Sequence, residues 1–352
     1  MKKNYFMLAL ASMMMAACAN NDLVDDLVKE EVPQAIGFET FANKTTRAIT
    51  DDPNTDDVNE ATQLQNYHTS FGVWAYKTVG STTTNVMPNY KVDYTAGISA
   101  TWEYKDVTNQ SLKYWDKQAT SYDFYAYAPY AATGVSIDEG KISIINGEYA
   151  ANENLQSKIV EGVEKGFTTS LNTKKFSGLG ASSTTASTDW MIAEANNIAN
   201  ANFGKDVEEV FKHTMSKLIV ILKSNDVATG TDVEVTEVSI NNVYGSGSYN
   251  GTSWTPSGDA KSIEGLVGEL STTDGYYSME YLLIPSTEAP TFSITYTVNG
   301  DEYTVSGAEI TGIDKFEANT CYTLTATIGL TPIKFTASAV DFSQPGGSVT
   351  IQ

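Results

Sequence analysis

Phe292-Ser293-Ile294-Thr295-Tyr296-Thr297-Val298-Asn299-Gly300-Asp301-Glu302-Tyr303-Thr304-Val305 carries the strongest hairpin signal in the chain. Asn-Gly suits a two-residue turn that needs positive φ at both positions, and β-branched and aromatic residues flank it on both sides. The same pattern recurs outward from this stretch. Phe71-Gly72-Val73-Trp74-Ala75-Tyr76 and Tyr122-Asp123-Phe124-Tyr125-Ala126-Tyr127 are dense in aromatic and β-branched residues. In the second, Tyr122, Phe124 and Ala126 share one face, and Asp123, Tyr125 and Tyr127 the other. That is the period of a strand. Residues 217–222 are almost continuously apolar, as in a strand buried on both faces. Residues 233–243 alternate, with Val233, Val235, Glu237 and Ser239 opposing Glu234, Thr236, Val238 and Ile240. Residues 281–285, 321–328, 333–342 and 348–351 read as further strands. Many short strands separated by turn signals predict an all-β chain with two β-sandwich domains in series and few short helices.

Between these runs the chain is polar. Residues 49–62 read as a charged loop, and 148–188 as long loops with one short helix near 155–164. Residues 189–193 look like a buried strand, 196–202 like a linker and 245–251 like a turn.

The chain has 352 residues, is 41% hydrophobic and 11% aromatic, and includes 20 Tyr. That supports packed cores rich in strands. A formal charge of −21 argues against nucleic-acid or anionic-membrane partners, which are themselves negative. His68 and His213 fall in different expected domains with no Cys nearby, so a histidine-based zinc or hydrolase site is not expected. The stretch Gly245-Ser246-Gly247-Ser248-Tyr249-Asn250 lacks the third glycine of a dinucleotide loop. Asp52, Asn54 and Asp56 imitate a calcium loop, but Asp57 stands where Gly is needed and Gln63 where the closing Glu belongs. Glu208 and Glu209 are adjacent and point to opposite faces of a strand. No enzyme, cofactor or metal site is expected.

At the N-terminus, Lys2 and Lys3 precede a short apolar run that ends at Met15-Ala16-Ala17-Cys18. A basic end, a hydrophobic run and small residues before a cut mark residues 1–17 as a secretory signal. Cys18 then stands where a bacterial lipoprotein is acylated, and acylation would leave the chain without a disulfide. Residues 18–34 form an acidic tether. In residues 35–41, Ile36, Phe38 and Thr40 face one way and Glu39 and Phe41 the other, so this segment is suited to fill a groove as an added strand. Arg47 follows in a polar setting before Ala48, and it is the only Arg in the chain.

Taken in order, the Cys18 lipobox, Ile36-Gly37-Phe38, Lys44-Thr45-Thr46-Arg47-Ala48, Tyr114-Trp115, residues 122–129, Asp189-Trp190-Met191-Ile192-Ala193, residues 211–218 and Leu283-Ile284-Pro285 carry a resemblance. The chain resembles the fimbrillin family of Bacteroidales, lipoprotein-derived subunits of the type V pilus. The resemblance implies two tandem transthyretin-like Greek-key sandwiches, at residues 48–198 and 199–352, preceded by a plug strand and cleavage loop at 35–47. It implies an outer-membrane lipoprotein, surface-exposed, that is cut between Arg47 and Ala48 by an Arg-specific protease and then joins a fimbrium. The vacated groove would accept a C-terminal strand of the next subunit, drawn from 333–352. In that segment Ile333 and Phe335 share a face, Val340 and Phe342 the opposite one, and Val349 pairs with Ile351, which implies a bulge near 337–339. Burying six such side chains at roughly 1.5–3 kcal/mol each gives a gross gain on the order of 9–18 kcal/mol. The same segment could instead complete its own sandwich. Two alternatives therefore stand beside the polymerising subunit. One is a tip or accessory subunit that binds a host or bacterial surface ligand. The other is a non-polymerising, lipid-anchored glycan-binding protein using Trp74, Trp102 or Trp254.

Overall fold

The structure, a computed structural model, describes residues 33–42, 64–97, 100–105, 107–148, 189–224, 230–244, 246–264, 268–270, 276–329 and 333–341. The helix expected near 155–164, the calcium-like loop and the last strand at 348–351 lie outside these residues.

The described chain is almost entirely strand. Seven strands make the first sheet: β1 (Phe38–Ala42), β2 (Ser70–Val79), β3 (Thr82–Thr95), β4 (Thr101–Glu103), β5 (Ser121–Ala128), β8 (Met191–Ala199) and β9 (Val207–His213). Their order is β1-β9-β8-β5-β2-β3-β4. All pairs are antiparallel except β1 with β9, which is parallel. Alternation sends Phe71, Val73, Met87, Val92, Phe124 and Phe211 into one core, which Tyr104 and Trp115 join from the loop after β4. The opposite face of β2 and β5 is also covered. There Trp74 and Tyr127 pack against Ile142 of a second sheet, built from β6 (Val135–Asp138), β7 (Lys141–Glu148), β12 (Ser246–Tyr249) and β13 (Trp254–Ser257). Burial on both faces explains why residues 71–75 are an unbroken buried run.

The chain leaves the first sheet at His213 and enters the C-terminal sandwich at Ser216. One layer holds β10 (Ser216–Ser224), β16 (Tyr276–Leu283), β19 (Thr320–Ile328) and β20 (Lys334–Asp341), in the order β16-β10-β19-β20. The other holds β11 (Val233–Val243), β14 (Lys261–Glu264), β17 (Thr291–Val298) and β18 (Asp301–Glu309), in the order β14-β11-β17-β18, with β15 (Gly268–Glu269) beside β11. Leu218, Val220, Val235, Ile240, Phe292, Ile294 and Leu324 fill the space between the layers. The hairpin of β17 and β18 turns at Asn299 and Gly300 with φ of 51° and 88°, the positive pair that the Asn-Gly signal predicts.

Four local expectations change. In β11 a register shift between Val235 and Glu237 reverses the alternation, so Val238 and Ile240 join Val233 and Val235 in the core instead of opposing them. Residues 246–249 are a strand rather than a turn, because β7 and β13 pair with them on either side. The expected linker at 196–202 is strand as far as Ala199, since Ile198 and Ala199 pair with Tyr122 and Ser121 of β5. The bulge expected near 337–339 is absent: β19 and β20 pair without a shift from Thr320↔Asp341 to Thr327↔Lys334.

Candidate functional site

The N-terminal segment closes the first core. Ala35 bridges Tyr114, and Ile36 N–H donates to the Lys113 carbonyl at 2.8 Å. The Tyr104 hydroxyl donates to the Ile36 carbonyl at 3.0 Å. One residue later the chain changes partner: Val207 N–H donates to the Gly37 carbonyl at 2.8 Å, and the β1–β9 ladder begins. A Cβ at Gly37 would meet the Asp206 carboxylate, which would have to swing aside. The segment thus ties the loop after β4, one edge of the sheet, to β9 near the other.

Three of the residues expected to plug a groove behave as one face. Ile36, Phe38 and Thr40 are buried, Glu39 is exposed and Phe41 is half-buried. The Phe38 ring lies edge-on to Phe71, Tyr104 and Phe124, with centroids 5.5, 6.0 and 6.0 Å apart. Such pairs add roughly 0.5–1.5 kcal/mol each to the gain from burial. Cys18, Arg47 and Ala48 lie outside the described residues, as do Phe342, Val349 and Ile351. Ile333 and Phe335 pack on the C-terminal core, where the Phe335 ring meets Phe292 at 5.2 Å, and Val340 lies on β20. The plug residues and the pair Ile333 and Phe335 therefore pack on two separate cores of one chain.

The three tryptophans considered as sugar platforms are all buried. Trp254 donates its indole N–H to the Thr214 carbonyl at 2.8 Å. None presents a face to a ligand.

Two buried polar groups escaped the sequence reading. The first joins the two histidines assigned to different domains. His213 Nδ1 lies 2.9 and 2.8 Å from the Asp189 carboxylate oxygens, and His68 Nε2–H donates to the Asp189 carbonyl at 2.7 Å. Burial lowers the His68 pKa below its ordinary value, so this imidazole stays neutral and its contribution to stability is lost as pH falls. The second is Glu209. Glu208 is exposed, but Glu209 points inward between Val207 and Phe211 and is 0% exposed. Neither of its carboxyl oxygens has a hydrogen-bond partner, and neither does the hydroxyl of Thr40, its register partner on β1. Burial first, then the nearby Glu194 charge, pushes the Glu209 pKa up to about 8. The inward alternation of Val207, Glu209 and Phe211 was visible in the sequence as a strand pattern with one acidic break.

The family model described as fimbrillin-like matches residues 46–341. The chain belongs to the fimbrillin-like family. Two solved structures share its fold. A protein of Bacteroides uniformis assigned to cell adhesion is 17% identical with a TM-score of 0.50, the match covering 88% of this chain and 98% of that one. Another so assigned, from Bacteroides ovatus, is 18% identical with a TM-score of 0.51 over the same shares. The search of curated proteins found no match. As a fimbrillin-like protein, the chain is a fimbrial or adhesin subunit of the cell surface that associates with other subunits, and it is structural rather than enzymatic. Among the described residues no helix is long and apolar enough to cross a membrane.

Proposed function

We propose that this fimbrillin-like protein reaches the surface as a lipoprotein acylated at Cys18 and is cut after Arg47. Its N-terminal strand then yields its groove to a strand of another subunit. The observation that carries this reading is the manner in which residues 35–42 sit. Phe38–Ala42 form a short edge strand in the one parallel pair among the described residues of the first sheet, and donate Phe38 to a core that residues between Leu64 and Phe211 line. Their departure uncovers both the β9 edge and an apolar slot, the two things an added strand needs. Arg47 lies five positions beyond Ala42, close enough to sever the strand from the body. Arg47→Ala should abolish processing and polymerisation, while the wild-type protein recovered from the surface should begin at Ala48. Unchanged processing in Arg47→Ala would sink the mechanism.

A second reading has an observation of its own. β20 is paired with β19 along its whole length, and Ala337 is buried in the C-terminal core. Residues 334–341 thus serve their own sandwich, which suits a tip or accessory subunit that accepts a strand without supplying one.

A further inference from the structure

We propose that the groove beneath β1 selects an incoming strand carrying a lysine at the position Thr40 now fills, with Glu209 as the selecting residue. The inference rests on the strand-exchange reading and adds what the incoming strand must present.

Three observations lead to it. Thr40 and Glu209 are register partners on a parallel pair, so their side chains project from the same face as neighbours. Both are buried, and neither satisfies the other. A buried polar group without a hydrogen bond is destabilising, and more so when it must ionise. β1 therefore fills the groove well with Ile36, Phe38 and Ala42 and badly at one place. That suits an occupant that has to leave.

The charges around Glu209 decide which side chain would do better. Glu194 of β8 acts on it as a second negative charge, and no cation acts on it among the described residues. On β9 itself, Glu208 and Lys212 are exposed on the opposite face, and His213 is engaged with Asp189. From β1, Glu39 points to solvent. The hydroxyl at position 40 makes no bond to the carboxyl. A lysine reaches it, holds it ionised and supplies the countercharge, so a lone buried acid becomes a paired one. The preferred partner strand thus reads, on its inward face and in the direction of β1, apolar, aromatic, lysine, small.

The purified full chain tests this with Thr40→Lys and Thr40→Val, each alone and combined with Glu209→Gln. After cutting at Arg47 with an Arg-specific protease at pH 7, the rate at which the N-terminal piece separates is followed by gel filtration. Thr40→Lys should slow separation at least tenfold relative to both wild type and Thr40→Val, and that advantage should vanish in Glu209→Gln. Equal slowing by Thr40→Val, or an advantage that survives Glu209→Gln, overturns the proposal alone. If Thr40→Lys does not fold, Thr40→Gln takes its place under the same comparisons. A cut piece that never separates in any variant sinks strand exchange itself and the proposal with it.

Discussion

Glu209 is fully buried with neither carboxyl oxygen hydrogen-bonded. Its pKa of about 8 against an ordinary 4.5 means that the folded chain keeps a proton which the unfolded chain has lost. The folded state binds more protons between those values, so stability falls as pH rises from about 4.5 to 8. Glu209→Gln has nearly the same shape and cannot titrate. Its stability relative to wild type should grow across this range, towards a limit on the order of 5 kcal/mol. Urea unfolding at several pH values measures it, and a gain that does not change with pH would count against the buried acid. His68 works in the other direction, favouring the folded state above its ordinary range, but it is present in both chains and cancels in the difference.

At the scale of elements, the hairpin of β17 and β18 depends on a turn that few residues can make. The Asn299 side-chain oxygen accepts from Asp232 N–H at 3.1 Å, and the Asn299 backbone N–H donates to the Asp232 carbonyl at 2.8 Å, so the turn is pinned to the start of β11. A Cβ at Gly300 would meet nothing within 4 Å. Gly300→Ala therefore isolates the backbone effect. It should destabilise the chain by about 1–2 kcal/mol, read as a lowered unfolding midpoint in denaturant. This hairpin was legible from residues 292–305 because its causes are local. The reversal in β11 was not, because nothing in Thr236-Glu237 marks a bulge; the sandwich imposes it to bring Val233, Val235, Val238 and Ile240 onto one face. Residues 246–249 look like a turn from composition, and they become a strand only because β7 offers them a ladder.

For the whole molecule, the question is whether its C-terminus leaves home. Residues 334–341 are built into the C-terminal sandwich, and ten more residues follow Phe342 in the sequence. Deleting residues 343–352 should leave folding intact, because it removes nothing from the β19–β20 ladder. A tip or accessory subunit so shortened should still enter fibres, whereas a subunit that donates those residues should stop growth after one addition. The length distribution of fibres on cells making only the shortened chain separates the two.

Much of this protein is determined by its sequence alone. Strand alternation, the Asn-Gly turn and the aromatic density make it all-β, and residues 36, 38 and 40 declare one buried face. These follow from steric and hydrophobic rules that act over a few residues. The tertiary structure alone decides which strand covers which. It brings His68, Asp189 and His213 together across 121 and 24 positions, buries the three tryptophans, and sets Thr40 beside Glu209. Those are meetings between distant segments, fixed by the parallel register of β1 on β9 and by the packing of one sheet on another. A pattern of neighbours along the chain carries no record of them.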